Sequence, residues 1–191
     1  FLIVSDDLVI TVNEPPQVNA GPDQVVTLPS GITLNGSVSD DGLPTNGTVT
    51  VAWSKVSGPG TVIFGNPGAT NTTATFSESG TYVLRLTAGD TLASGSDELV
   101  VLVNRAPVVN AGPDQGIALG QPAALNGLAT DDGLPGNTLT YTWSKVSGPG
   151  TVTFGNPASP ATSASFSSAG LYTLRLTASD SLASGSDDQA A

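Results

Sequence analysis

The 191-residue chain contains no cysteine, no histidine and no methionine, and only 5 Lys+Arg against 16 Asp+Glu. Each absence removes a chemistry. Without Cys or His there is no thiolate nucleophile, no Ser-His-Asp triad and no ordinary ligand set for zinc or haem. Disulfides cannot brace the fold, so cohesion must come from packing, with hard cations as the available inorganic support. Five dispersed basic residues cannot neutralise a run of phosphates, which argues against nucleic acid as a partner. No run of 18 apolar residues occurs, so this segment encodes no helical membrane span. Phe1-Leu2-Ile3-Val4 is too short for a signal peptide and lacks a basic flank, so any export signal or anchor is expected outside these residues.

What is present is a repeat. Asn19-Ala20-Gly21-Pro22-Asp23-Gln24 returns as Asn110-Ala111-Gly112-Pro113-Asp114-Gln115, a shift of 91, and Asp40-Asp41-Gly42-Leu43-Pro44 returns at residues 131–135. Trp53-Ser54-Lys55-Val56-Ser57-Gly58-Pro59-Gly60 returns at residues 143–150, now shifted by 90. One residue has therefore been lost between Pro135 and Trp143, where a loop tolerates deletion. Two copies of one domain follow: 15–104 and 105–191.

The frame of the chain relative to the repeat is offset. Ser5-Asp6-Asp7-Leu8-Val9-Ile10-Thr11-Val12-Asn13 matches Ser96-Asp97-Glu98-Leu99-Val100-Val101-Leu102-Val103-Asn104. Residues 1–14 thus read as the closing strand of a preceding copy, and the second copy is expected to lack that strand.

Within a copy, alternating apolar and polar residues are bounded by Gly, Pro, Asn and Asp clusters, the pattern of half-buried strands. The inward sets are Val26 with Leu28, Ile32 with Leu34, and Val49 with Val51 and Trp53. Next come Val62 with Phe64, and Ala74 with Phe76. Tyr82, Leu84, Leu86 and Ala88 form a long strand, and Leu99, Val101 and Val103 close the copy. About seven strands with regular turn signals predict an all-β fold of two tandem antiparallel sandwiches. Trp53 and Trp143 are expected at the core centres, and Gly80-Thr81-Tyr82 suits a tyrosine corner.

The runs Asn19 to Gln24, Ser39 to Gly42, Trp53 to Pro59 and Gly80 to Asp90, in that order, resemble the PKD-like repeats, which are Ig-like sandwiches. The resemblance covers nearly the whole chain. It departs from the founding pattern in lacking Trp-Asp-Phe-Gly-Asp-Gly after either tryptophan, and sits closer to a Trp-x-Lys-Val-Ser-Gly-Pro variant. It implies a non-catalytic spacer or adhesive module, extracellular or at the cell surface, with a bacterial source expected.

The carboxylates are the candidate sites. If the opening segment and two loops share one pole, Asn19, Asp23, Asp40, Asp41 and Asp90 gather in the first copy. Asn110, Asp114, Asp131, Asp132 and Asp180 then gather in the second. Oxygen-only ligands on glycine-containing loops suit Ca²⁺, and the resemblance to PKD domains implies calcium near the domain entrance. The competing reading is turn chemistry, since Asp-Asp-Gly-Leu-Pro is a turn sequence in its own right. A glycosidase pair has no support beyond residue type. Lys55 and Lys145 share the tryptophan's face and raise an isopeptide crosslink, although Ser-Gly-Pro just after them places them at a strand end. Asn35, Asn46 and Asn71 fit the N-glycosylation pattern.

Partners follow from the same offset frame. A sandwich without its last strand exposes an edge and a groove, and Leu8, Val9, Ile10, Thr11 and Val12 of a neighbouring subunit have the alternation to fill it. Such a step repeats into a filament. The alternative is a window from a longer array, with copies stacked end to end through proline-stiffened linkers, Asn13 to Val18 and Asn104 to Val109. A third expectation is a module whose pole loops bind a surface glycan or protein.

Overall fold

The computed structural model describes residues 6–45 and 47–191. The segment Phe1-Leu2-Ile3-Val4, the first residues of the expected leading strand and the acceptor Asn46 lie outside the described residues. The chain divides into two compact units, one running to Leu102 and the other spanning Val103–Ala191.

In the first unit the elements are β1 (Gln17–Asn19), β2 (Gln24–Thr27), β3 (Ile32–Asn35), β4 (Ser37–Ser39), β5 (Thr50–Ser57), β6 (Val62–Phe64), β7 (Asn71–Phe76), β8 (Gly80–Gly89) and β9 (Ser94–Asn104), whose last two residues fall in the second unit. They form a four-stranded sheet, β2-β9-β8-β5, a three-stranded sheet, β3-β7-β6, and a short antiparallel pair, β1-β4. Alternation works as expected in β8, where Tyr82, Leu84, Leu86 and Ala88 are buried while Arg85 is exposed. Trp53 is buried, and its indole N–H donates to the Thr70 carbonyl at 3.1 Å.

Tyr82 is fully buried, stacks obliquely on Phe76 with ring centroids 4.8 Å apart, and donates its hydroxyl to the Glu78 carbonyl at 2.8 Å. Burial pushes its phenol above the usual range, so the O–H remains a donor at any ordinary pH. Tyr82→Phe is expected to cost about 1 kcal/mol, since one carbonyl partner is lost while the ring packing stays. Equilibrium denaturation with an unchanged slope would check it.

The second unit repeats the plan with β10 (Val108–Asn110), β11 (Ala123–Asn126), β12 (Leu128–Thr130), β13 (Thr140–Ser147), β14 (Val152–Phe154), β15 (Ala161–Phe166), β16 (Thr173–Ser179) and β17 (Ser184–Ala190). Its sheets are β13-β16-β17, β11-β15-β14 and β10-β12. The core joins Leu125, Trp143, Tyr172, Leu174 and Leu176, with Phe154 and Phe166 against it.

Three expectations change. The second copy does have a closing strand: β17 pairs with β16 from Thr173↔Ala190 to Ser179↔Ser184. The sequence reading matches this strand from Ser96 and marks only Leu99, Val101 and Val103 as its inward set; in the first unit it already begins at Ser94, in polar residues that alternation of apolar side chains does not mark. Conversely, residues 6–13 form no strand, and Leu8, Val9, Ile10 and Val12 are 75–85% exposed. Finally, Gln115–Leu119 forms no counterpart of β2.

Candidate functional site

In neither copy do all five expected ligands gather at one pole. Asn19 Oδ1 accepts the Gly21 N–H at 2.7 Å, and Asp23 Oδ1 accepts the Val100 N–H at 2.7 Å, well along β9 from its start at Ser94. Asn110 and Asp114 repeat this, accepting from Gly112 at 2.8 Å and from Ala190 at 2.8 Å. These four side chains fasten the opening segment to its own turn and to the closing strand. The sequence reading placed the whole opening segment at the pole. The Asn-Ala-Gly-Pro-Asp run instead travels away from it, because Gln17 rather than Asn19 pairs with Ser39, the residue before Asp40.

Asp40, Asp41 and Asp90 do share a pole, as do Asp131, Asp132 and Asp180. In the first unit Asp41 caps its own loop through the Leu43 N–H at 2.8 Å and receives the Glu14 N–H at 3.1 Å. Asp40 accepts the Gly42 N–H at 3.2 Å. Gly42, at φ +82°, supplies the left-handed turn that this Asp-Asp-Gly loop requires. Asp90 closes the β8–β9 turn by accepting the N–H groups of Leu92 at 2.9 Å and Ala93 at 2.8 Å. That turn holds Thr91 at φ +88°, a strained conformation for a β-branched residue, and Ser181 repeats it at φ +83°.

The residues that sequence reasoning missed are Asn13 and Asn104. Asn13 donates its amide to Asp90 Oδ2 at 2.9 Å. Within the second unit Asn104, fully buried, donates to Asp180 Oδ2 at 2.9 Å, and the Arg105 N–H reaches Asp132 Oδ2 at 2.9 Å. Each opening segment is therefore latched by an asparagine amide and the next backbone N–H. The two asparagines are matched in the repeat, but nothing local to them marks the partner each one reaches.

Electrostatics agree with this geometry. The Asn13 amide, aided by the Ala93 N–H, holds the Asp90 carboxyl below the usual carboxylate range. For Asp180 burial pushes upward, and the bonds from Asn104, Ala183 and Leu182 together outweigh it, so its carboxyl also lies low. Four buried oxygens on these poles have no hydrogen-bond partner: Asn13 Oδ1, Asp40 Oδ1, Asn104 Oδ1 and Asp131 Oδ1. The same two positions recur in both copies. Among the described residues, no group of three or more acidic side chains comes together closely enough to hold a metal by carboxylates alone.

The remaining candidates fall elsewhere. Lys55 Nζ donates to the Gly60 carbonyl at 2.5 Å and lies 5.6 Å from the centre of the Tyr82 ring. Lys145 does the same with Gly150 and Tyr172. Both ammonium groups sit at strand ends against carbonyl oxygens and aromatic faces. Among the described residues neither hydrogen-bonds to an Asn or Asp, the partner an isopeptide crosslink would need. The Arg175–Asp188 pair raises the guanidinium pKa and lowers the carboxyl, but it is exposed and contributes little to stability. Asn35 and Asn71 are exposed and face each other at the end of the β3–β7 ladder.

Two β-sandwiches in tandem, each with its opening segment latched at an acidic pole, define a PKD/Ig-like repeat protein. The chain belongs to the family described as K319L-like, PKD domain, whose model matches residues 20–103 and 111–190. It is similar to the human dyslexia-associated protein KIAA0319, 31% identical over 180 residues, covering 88% of this chain and 16% of that protein. The mouse KIAA0319-like protein is 30% identical over 185 residues, covering 90% of this chain and 17% of that one. The chain thus spans about a sixth of the curated relatives it matches. Among solved structures, the N-terminal eight Ig domains of Down Syndrome Cell Adhesion Molecule align at TM-score 0.59 and 14% identity, over 92% of this chain and 27% of that one. That likeness is one of fold. The expected bacterial source finds no support in these mammalian relatives.

Proposed function

We propose that this chain is a non-catalytic structural and adhesive repeat segment of an extracellular protein, with copies following one another end to end. The observation that supports it is the twin latch. Asn13-Glu14 and Asn104-Arg105 meet Asp90-Asp41 and Asp180-Asp132 through matched hydrogen bonds. A rule for receiving the preceding linker is thus written into every copy. The acids at each pole serve this latch, and they sit on separate copies of one feature rather than in a single reactive cleft.

Calcium is the ion this pole would take. The donors are oxygen only, and the unpartnered Asn13 and Asp40 oxygens, with Asp90, supply the first unit's set; Asn104, Asp131 and Asp180 supply the second's. Asn19, Asp23, Asn110 and Asp114 are outside it. Bound there, the ion would fix the opening segment to the loop. An extracellular-grade site with a Kd of about 10⁻⁴–10⁻³ M is expected. At roughly ten times that Kd it would add about 1.4 kcal/mol, a rise in Tm of several degrees that chelator reverses. An unchanged Tm at about 10 mM Ca²⁺, ten times the weakest expected Kd, would retire the ion and leave the hydrogen-bonded latch.

A second reading, assembly of copies by strand donation through residues 6–13, is favoured by the exposure of Leu8 to Val12. Recognition of a surface glycan or protein by the pole loops is the remaining function, and a glycan or protein array at elevated salt tests it. Binding lost on Asp132→Ala with the Tm of the second unit unchanged would favour recognition over a purely structural role.

A further inference from the structure

The outward face of the first unit's four-stranded sheet is apolar where the second unit's is not. A sheet packed on the core by one face ordinarily turns polar side chains to water on the other. Here Val25 on β2, Val56 on β5 and Val100 on β9 are 56%, 45% and 37% exposed, and Val83 on β8 is half-buried. In the second unit β16 and β17 pair Thr173 with Ala190 and Arg175 with Asp188. The same register sets Val83 beside Val100 and Arg85 beside Glu98, and the side chains of that second pair do bond. Val56 is the extra residue of the bulge opposite Val83. The fold itself does not demand these valines. Gly116, Thr173 and Ala190 take the places of Val25, Val83 and Val100 in the second copy, and only Val56 is kept, as Val146.

Charge on this face is balanced and incompletely satisfied. Lys55 and Asp97 alternate with the outward residues, and they bond to the Gly60 carbonyl and the Ala20 N–H. Arg85 and Glu98 are the charged residues of these strands that face outward, with side chains 44% and 41% exposed. Nε and Nη2 of Arg85 both donate to Glu98 Oε1, so Arg85 Nη1 and Glu98 Oε2 have no partner among the described residues. Arg175 instead divides its bonds between both oxygens of Asp188. In a chain of net charge −11, the first unit thus presents a neutral face with an unused donor beside an unused acceptor.

We infer that this face pairs with the same face of a second copy of the chain. The sheet order β2-β9-β8-β5 is even, so a two-fold axis can run along the strands between β9 and β8. That axis lays β9 on the second copy's β8, and β2 on its β5. Val100 then meets Val83, Val25 meets Val56, and Arg85 meets Glu98, each contact made twice. The unused Nη1 and Oε2 face one another across the axis. Such a contact is isologous and closes at two copies. It also keeps the strands of the two sheets close to parallel, as aligned sheet packing prefers. Four strands about 4.8 Å apart and about 20 Å long cover roughly 400 Å² per copy, near the lower limit of specific interfaces. The pair is therefore weak, with a Kd of about 0.1–1 mM.

Charge exchange in the full chain, read by sedimentation, tests this. The unmodified chain should pass from monomer to dimer near that Kd and go no further. Arg85→Glu sets carboxylate against carboxylate, and Glu98→Arg sets guanidinium against guanidinium. Each alone should dimerise at least about tenfold more weakly. Mixed, the two should form a heterodimer tighter than the unmodified pair, since every facing charge is then opposite. Val83→Thr with Val100→Ala installs the residues that the second unit carries, and should also weaken dimerisation by about tenfold with little change in Tm. A chain that stays monomeric at about 1 mM leaves the face to an unlike partner and overturns the inference. Dimerisation that both charge variants retain overturns it too. So does dimerisation that Ile10→Asp abolishes, which would assign the contact to residues 6–13.

Discussion

Trp53→Ala is expected to remove about 3–5 kcal/mol from the first unit, the usual cost of truncating a buried tryptophan. The site cannot collapse to refill the space, because its neighbours are interlocked. A Cβ on Gly36 would lie 3.2 Å from the indole Cζ2 and 2.9 Å from the Thr70 carbonyl, so Gly36 is the floor on which the ring rests. The lost indole N–H is a smaller part of the cost, since the Thr70 carbonyl keeps the Gly36 N–H at 3.2 Å. Against a typical domain stability of about 5–15 kcal/mol, the Tm of that unit should fall by roughly 15–30 °C. Trp53→Phe, which keeps most of the volume, should cost about half as much. The chain has only two tryptophans, so Trp143 fluorescence in the Trp53→Ala chain reports the second unit alone. Loss of only a degree or two would show that Trp53 is not the centre of this core.

That Trp53 sits in the core was legible because alternation and repeat position agree. The same is true of Tyr82, Leu84, Leu86 and the two-sandwich plan, where apolar side chains on one face leave a period-two trace. Polar strand segments leave none, which is why the start of β9 at Ser94 and the whole of β17 escaped notice. The pole was half legible. Asp40, Asp41 and Asp90 stand out as acids in turns, but the Asn19–Asp23 run is also turn-like and ends in an acid, and only the β1–β4 register shows that it leads away. Asn13 and Asn104 carry no charge and no motif. Their role arises from a contact 77 or 76 residues distant, which local pattern cannot reveal.

The second large effect is expected at Asp180. Its carboxylate accepts the Leu182 and Ala183 N–H groups at 2.7 Å each and the Asn104 amide at 2.9 Å. Asp180→Ala would strip the strained Ser181 turn of its cap and leave Asn104 buried with neither amide atom bonded. Because the acceptor is charged and the orphaned donors are buried, a loss of about 3 kcal/mol is expected, less than the sum of three separate bonds. The pH dependence has a definite sign. The folded carboxyl lies below its ordinary value of 3.8, so the folded state binds its proton less readily than the unfolded state. Its contribution is complete above the ordinary value and disappears as pH falls through the depressed one. The unmodified chain should thus lose stability in that acid window, with Asp180→Ala showing a shallower slope there. Asp180→Asn separates the roles of shape and charge. Its side-chain oxygen can still receive the turn N–H groups, and its amide can donate to Asn104 Oδ1 once the Asn104 amide turns over. Most of the neutral-pH stability should return, without the acid dependence and without a carboxylate for Ca²⁺. If Asp180→Asn were as unstable as Asp180→Ala, charge rather than hydrogen-bond geometry would be holding Asn104 in place.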